Sequence, residues 1–353
     1  MRAVKPHLAD SPDPAVLAAF GLAPKPLRAS ASGLINRTWH VVSTSGERLV
    51  LQRVNPIFPP EINADIDALT RHLAARGLAT PRIVPARDGR LWLEQGDAVW
   101  RVLTEIDGVT RDALRTAAEA CEAGRALARF HRAVADFDHP FSNARLGVHD
   151  TRAHLAALRR RLSEHAGHRE IAAIAPLADR VLARARMLPP LPAAPDRIVH
   201  GDPKVSNIMF DRATGRALCL IDLDTLSRMP VALELGDAMR SWCNPSAEDA
   251  PESRFSLPLF EAAVAGYAEA AAGLLEEAEW SAIPAATSTI TVELAARFCA
   301  DALAERYFLW DAGRYASASA HNRARALGQL ELAASIDAQM DDLRAIVEGA
   351  FAG

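Results

Sequence analysis

Near residue 106 the hydrophobic pattern changes from short alternating runs to long helical stretches. Before it, TWHVVST (38–44) and RLVLQRV (48–54) are β-branched and aromatic runs separated by Ser45-Gly46, a hairpin pattern. PEINADIDALTRHLAARG (60–77) places Ile62, Ile66, Leu69 and Leu73 at helical spacing and stops at Gly77. GRLWLEQGDAVWRVLTEI (89–106) reads as two further strands around Gln95-Gly96-Asp97. Beyond Asp107, alanine- and leucine-rich helical patterns cover roughly 111–136, 151–187, 255–279 and 286–349. One layer cannot bury both kinds of segment. The expectation is an α+β chain of two lobes, β-rich over 1–106 and mainly helical over 107–353, meeting in a cleft.

The 353 residues suffice for two such lobes, and no internal repeat or low-complexity linker separates them. Half the residues are hydrophobic, and the net charge of -4 leaves no electrostatic footprint for nucleic acid or an anionic membrane. Cys121, Cys219, Cys243 and Cys299 lie far apart without a CxxC, which suggests neither a disulfide framework nor a zinc site. The N-terminus lacks the apolar core of a signal peptide and no 18-residue apolar run occurs, so a cytoplasmic location is expected, as monomer or homodimer. Lysine occurs only at positions 5, 25 and 204 among 40 basic residues.

Within the helical half stands one strand–turn–strand island, HGDPKVSNIMFDRATGRALCLIDLDT (200–225), preceded by Pro189, Pro190, Pro192 and Pro195. RIVH leads in, and NIMF and ALCLID are two arms across DRATG. Between the apolar runs lie His200, Asp202, Lys204, Asn207, Asp222 and Asp224. Asp and Asn favour turns, so a merely polar turn is one reading. The other is a site. The hairpin returns Asp222 beside Asn207, and a carboxylate with an amide oxygen, free of sulfur or clustered imidazole, suits a hard cation such as Mg²⁺. Asp202 then stands where it can accept a proton from an incoming hydroxyl, an arrangement fit for phosphoryl transfer.

The spacing H-x-D-x-x-x-x-N is that of the protein-kinase catalytic loop. With Gly201 in the second place and IDLDT after it, the stretch resembles the aminoglycoside phosphotransferase and choline-kinase superfamily of small-molecule kinases. GLINRTWHV is similar to that superfamily's nucleotide-loop motif. VLQRVN, HDTRAHLAAL, IDLDT, ELGDAMR and ELAARFCADALAERYF together resemble most the N-acetylhexosamine 1-kinase branch. The resemblance extends over most of the chain and implies a protein-kinase-like fold, ATP and Mg²⁺ as cofactors, and a small-molecule acceptor. It implies Asp202 as base, Asn207 and Asp222 as metal ligands, and Lys204 against the transferring phosphate. Asp224 helps hold the loop or a second metal, His200 fixes the loop, and Asp237 ties its helix to the catalytic loop. Ser32, Gly33, Asn36 and Thr38 would line the phosphate loop, and Leu103, Glu105 and Ile106 the adenine. Arg297 and Asp301, one helical turn apart, are spaced to form an ion pair, and Arg297, Asp301 and Tyr307 are placed near the acceptor.

The chain departs from the kinase pattern at the nucleotide lysine, because no lysine lies between Lys25 and Lys204. Arg53 is the candidate replacement, with Glu61 or Asp65 as its helix partner and a plain surface arginine as the rival reading. Strand alternation lets only one of Gln52 and Arg53 face the nucleotide. The missing lysine also motivates a nucleotide-binding pseudokinase acting as an interaction module; the retained Asp202, Asn207 and Asp222 oppose it. Other acceptors in the superfamily are aminoglycosides, choline, homoserine and methylthioribose. The acidic clusters, such as LLEEAEW, are too isolated to favour a polycationic aminoglycoside. His131 reads as a packing histidine, His165 and His168 as a solvated face, and Tyr307, Phe308, Trp310 and Tyr315 as helix packing or a sugar pocket.

Overall fold

A computed structural model describes residues 11–24, 28–29, 36–142 and 148–352. The chain divides into two compact units. The small unit comprises the residues up to Asp107 and a segment beginning at Asp138; the large unit takes up the rest from Gly108.

The small unit runs α1 (Pro14–Ala19), β1 (Arg28–Ala29), β2 (Arg37–Val42), β3 (Arg48–Val54), α2 (Ile62–Ala75), β4 (Ile83–Val84), β5 (Leu93–Gln95) and β6 (Ala98–Thr104). Its antiparallel sheet has the order β1-β2-β3-β6-β4, with β5 also on β6. The hairpin, the helix and the second strand pair stand where the sequence patterns place them; α1, β1 and β4 are too short to show a period. Alternation sorts the strand residues. Trp39, Val41, Leu49, Leu51, Trp100 and Val102 form one core with Val16, Leu17 and Phe20 of the α1 region. The other face carries Thr38, Gln52 and Arg101 directly opposite one another across three strands. The segment after Asp138 is fastened to this unit because Asp65 of α2 accepts His139 Nε2 at 2.8 Å and the Ser142 N–H at 3.0 Å.

The large unit runs α3 (Ala117–Val134), α4 (Thr151–Glu164), α5 (Ile171–Ala185), β7 (Asp196–Val199), β8 (Ile208–Phe210), β9 (Ala217–Leu220), β10 (Ser227–Pro230), α6 (Val231–Trp242), α7 (Leu257–Ala270), α8 (Glu277–Trp280), α9 (Ile283–Ala304), α10 (Ala318–Asp337) and α11 (Met340–Phe351). The helical stretch expected over 151–187 is broken into α4 and α5 around Gly167. α9 is buried almost all round, as expected of a helix that lacks a polar stripe. Gly236 lets α6 lie against it: a Cβ there would stand 2.6 Å from the Ala286 carbonyl carbon. No helix among the described residues is long and apolar enough to cross a membrane, and the four cysteines are unpaired.

Two small ladders hold the island. β8 and β9 pair with Ile208 opposite Leu220, and β7 pairs with β10 with Val199 opposite Ser227. The loop from His200 to Asn207 therefore leaves one ladder and enters the other, so both its ends are fixed.

Candidate active site

The loop is held from below by its own histidine. His200 is fully buried; its Nε2–H donates to the Ile221 carbonyl at 2.8 Å, and its Nδ1 accepts the Asp202 N–H at 3.3 Å. Gly201 takes φ +84°, a left-handed conformation, and a Cβ there would lie 2.1 Å from the Thr225 carbonyl oxygen. Thr225 Oγ1 in turn donates to the His200 carbonyl at 2.9 Å. These bonds set Asp202 at the head of the turn. Its Oδ2 receives Lys204 Nζ and, at 3.1 Å, Asn207 Nδ2, while Oδ1 has no partner among the described residues. Asn207 Nδ2 also donates to the Asp202 carbonyl at 2.8 Å, so the Asn207 side-chain oxygen is turned the other way.

Helix α6 carries the loop. The Glu234 carboxylate accepts the Gly201 N–H at 2.7 Å and meets His131 Nε2 of α3, whose Nδ1 lies 2.7 Å from the Tyr267 hydroxyl of α7. His131 is thus a satisfied packing histidine. Ser241 Oγ accepts the Val205 N–H at 3.2 Å, and Trp242 Nε1–H donates to the Pro203 carbonyl at 2.7 Å. Asp237 pairs with Arg240 of its own helix at 2.8 Å and is among the carboxylates that favour the charged form of Lys204 in the loop, while Glu234, one turn earlier, makes the hydrogen bond that holds the loop.

The electrostatics concentrate on two groups. Burial opposes the charge of Lys204, but the carboxylates of Asp202 and Asp222 outweigh it and hold the ammonium protonated above its usual range. Burial likewise opposes the Asp237 carboxylate, and Arg240, His149 and Arg297 more than offset it, holding its carboxyl below the usual range. Asp222 adopts φ 64°, a left-handed backbone for a residue with a side chain, at the end of β9. The Ile221 N–H donates to the Asn207 carbonyl at 2.9 Å, which brings the two strand ends together. The Asn207 amide oxygen and the Asp222 carboxylate are hard oxygen donors of the kind that would suit a divalent cation. Asp224, in the turn that follows Asp222, is buried at 1 % exposure. No cluster of three or more His, Cys, Asp or Glu groups spaced for a metal occurs among the described residues; His168 faces Glu305 at 3.2 Å.

In the small unit, Ser32 and Gly33 lie outside the described residues. Asn36 is buried, and its Oδ1 accepts the Asn55 N–H at 2.9 Å; Thr38 Oγ1 accepts Gln52 Nε2 at 3.2 Å. The Glu105 carboxylate is committed to Arg48 at 2.8 Å and His40 at 3.2 Å. The Glu105 N–H donates to the Arg48 carbonyl at 3.4 Å, and Leu103 stands in the sheet between Val50 of β3 and Ile83 of β4. The expected pairing of Arg53 with a carboxylate of α2 is corrected. By alternation Arg53 shares its face with Leu51 and the α1 core, and Gln52 faces α2 with Arg101 and Asn63. Neither Glu61 nor Asp65 pairs with Arg53.

The ion pair expected between Arg297 and Asp301 is corrected too. Asp301 accepts the backbone N–H groups of Arg306 (3.0 Å), Tyr307 (2.9 Å) and Phe308 (2.9 Å), and Asn322 Nδ2 at 3.0 Å. It anchors the loop after α9 and has no oxygen to spare. Arg297 instead lies over the rings of Tyr307 and Phe308 at 5.8 Å. The aromatic group splits: Phe308 packs on Phe298 at 4.5 Å, Tyr315 stacks on His321, and Tyr307 is half exposed.

Residues 26–281 match the model of the phosphotransferase enzyme family, APH. The chain belongs to that family. Among curated relatives, homoserine kinase of Burkholderia cenocepacia is 33 % identical over 119 residues, covering 33 % of this chain and 35 % of that protein. The chain therefore aligns with about a third of the length of the curated relatives it matches. Its fold is shared with an aminoglycoside phosphotransferase from Alicyclobacillus acidocaldarius (TM-score 0.63, 17 % identity, 97 % of this chain and 98 % of that one). A microcompartment-associated aminopropanol kinase (TM-score 0.62, 19 % identity, 94 % and 97 %) and a choline kinase of Cryptosporidium parvum (0.57, 11 %, 94 % and 92 %) share it as well. Viewed as a phosphotransferase, the chain holds its catalytic-loop residues on buried contacts that sequence reasoning passed over. Glu234 gave no signal beyond being a charged residue in an apolar helix face, and Gln52 ranks below Arg53 in sequence reasoning only because a charge is sought on that strand.

Proposed function

We propose that the protein transfers the γ-phosphate of ATP to a hydroxyl of a small molecule. The observation that carries this reading is the state of Asp202: one carboxylate oxygen is tied to Lys204 and Asn207, and the other is open. The open oxygen accepts the proton of the acceptor hydroxyl as that oxygen attacks phosphorus. Lys204, kept charged by its carboxylate neighbours, balances the negative charge that develops on the transferring group. Mg²⁺ held by Asn207 and Asp222 supplies charge neutralisation at the phosphates when bound. In the small unit, Asn36, Thr38 and the segment of Leu103, Glu105 and Ile106 serve the nucleotide. A pseudokinase has no use for a base so held.

The favoured acceptor is an amino sugar or related hexose, phosphorylated at its anomeric hydroxyl, with Arg297 and Tyr307 as contacts. A guanidinium beside an exposed ring suits a sugar's hydroxyls and its apolar face. One observation favours a second acceptor, homoserine: the 33 % identity over 119 residues with homoserine kinase. Arg297 would then pair with the amino-acid carboxylate. ADP release measured over hexoses, N-acetylhexosamines, homoserine, choline, aminopropanol and aminoglycosides separates these. Turnover with an N-acetylhexosamine, and its loss at a sugar blocked on the anomeric oxygen, is the expected result. If no acceptor raises ADP release above the Asp202→Ala background, the kinase reading is abandoned.

A further inference from the structure

Arg101, on the middle of β6, is 1 % exposed, yet arginines are almost never fully buried without a partner that uses their donors. It stands in register with Gln52 of β3 and Thr38 of β2, on the sheet face that meets α2. Its NH1 donates to Asn63 Oδ1 of α2 at 3.4 Å, and its Nε donates to Gln52 Oε1 at 2.9 Å. A guanidinium can only donate, so the Gln52 amide has one allowed orientation: oxygen toward Arg101, nitrogen away from it. Gln52 Nε2 accordingly donates to Thr38 Oγ1 at 3.2 Å, and its second N–H has no acceptor among the described residues. Asn63, Arg101, Gln52 and Thr38 form one polar file that runs from a buried helix position across the sheet to the strand following the expected phosphate loop.

We propose that Gln52 is the small unit's phosphate-contacting side chain, and that Arg101 is the positioning residue that presents its N–H. This rests on the ATP-dependent reading above. The ordinary lysine of this strand is replaced by a division of labour. The donor comes from the Gln52 amide, and the positive charge sits one layer behind, in Arg101. The ligand class is the phosphate chain of a nucleoside di- or triphosphate. Arg53, on the opposite face, has no part in it.

The test is calorimetric binding of MgATP, MgADP and adenosine to the full chain without any acceptor, together with thermal melting. Gln52→Glu keeps an oxygen for Arg101 and so retains the melting midpoint, but it presents a carboxylate where the N–H stood. It is expected to weaken MgATP by about tenfold or more while leaving adenosine unchanged. Arg101→Met frees the amide to turn and is expected to weaken MgATP by about fivefold; Arg53→Ala binds as wild type. If Arg101→Met does not fold, Gln52→Glu decides alone. MgATP binding by Gln52→Glu within twofold of wild type, at an unchanged midpoint, overturns the proposal while the phosphotransferase reading stands. A wild-type chain that binds neither nucleotide sinks both.

Discussion

The Glu234 carboxylate, fully buried on α6, accepts the Gly201 backbone N–H at 2.7 Å. Its other oxygen meets the His131 imidazole, so a single side chain joins the catalytic loop to α3, α6 and α7. Truncation leaves a buried N–H and a buried ring nitrogen without partners. Glu234→Ala is expected to lower unfolding stability by about 2–4 kcal/mol. Glu234→Gln, which keeps an oxygen for Gly201, is expected to cost less than Glu234→Ala. Urea denaturation measures both, and equal costs would show that the Gly201 bond contributes little.

Asp202 is predicted to matter for rate and not for folding. Asp202→Asn keeps the shape of the side chain and removes the base. Turnover with the best acceptor is expected to fall by about 10²–10⁴-fold. MgATP binding is expected to stay within a few-fold of wild type. Single-turnover phosphate transfer resolves the two, and a wild-type transfer rate in Asp202→Asn would remove it from the mechanism.

Gly201 combines a left-handed backbone with a gap too small for a methyl group. In Gly201→Ala the added carbon collides with the Thr225 carbonyl, so the loop or the turn that carries Thr225 must shift. The expected outcome is at least tenfold lower turnover, accompanied by a lower melting midpoint. Full activity in this variant would mean that the loop tolerates displacement.

His149 gives a pH signature. Burial lowers its proton affinity, but the hydrogen bond to Glu293 at 3.0 Å and the nearby Asp237 prevail over it and over the opposing Arg297, so its pKa stands above 6.5. The folded state thus holds a proton that the unfolded state releases first. The resulting stabilisation is fully present below pH 6.5 and is lost as pH rises through the folded value. Each unit of separation is worth about 1.4 kcal/mol. The stability gap between wild type and His149→Gln is expected to be wider at pH 6 than at pH 8.5. A gap independent of pH would contradict the ion-pair assignment.

Asp301 tests the correction to the acceptor region. Asp301→Ala leaves the N–H groups of residues 306–308 unmet and is expected to cost about 2–3 kcal/mol. Arg297→Ala, by contrast, is expected to raise the acceptor KM with little change in the melting midpoint. Similar midpoint losses in the two variants would return Arg297 to the fold.

Much of this was legible in the chain. The β2–β3 hairpin, α2 and the β5–β6 pair follow from alternation, helical spacing and turn glycines, because each is set by neighbours within about ten residues. The order of Asp202, Asn207 and Asp222 was legible for the same reason: one short loop and the hairpin it enters carry all three. β10 was not read as a strand, since its partner β7 lies beyond the whole hairpin. The role of Asp301 was misread because an (i, i+4) spacing with Arg297 says nothing of the loop that turns back onto it.

The sequence alone determined which groups are near one another along the chain, and with them the chemistry: a carboxylate, an amide and a second carboxylate on one short loop and the hairpin it enters. The tertiary structure decided what holds those groups in place. Only packing of α6 under the loop makes Glu234 the holder of Gly201, and only the alignment of three strands makes Arg101 turn the Gln52 amide. Hydrogen bonds of fixed direction between residues far apart in sequence carry that information, and no local period encodes them.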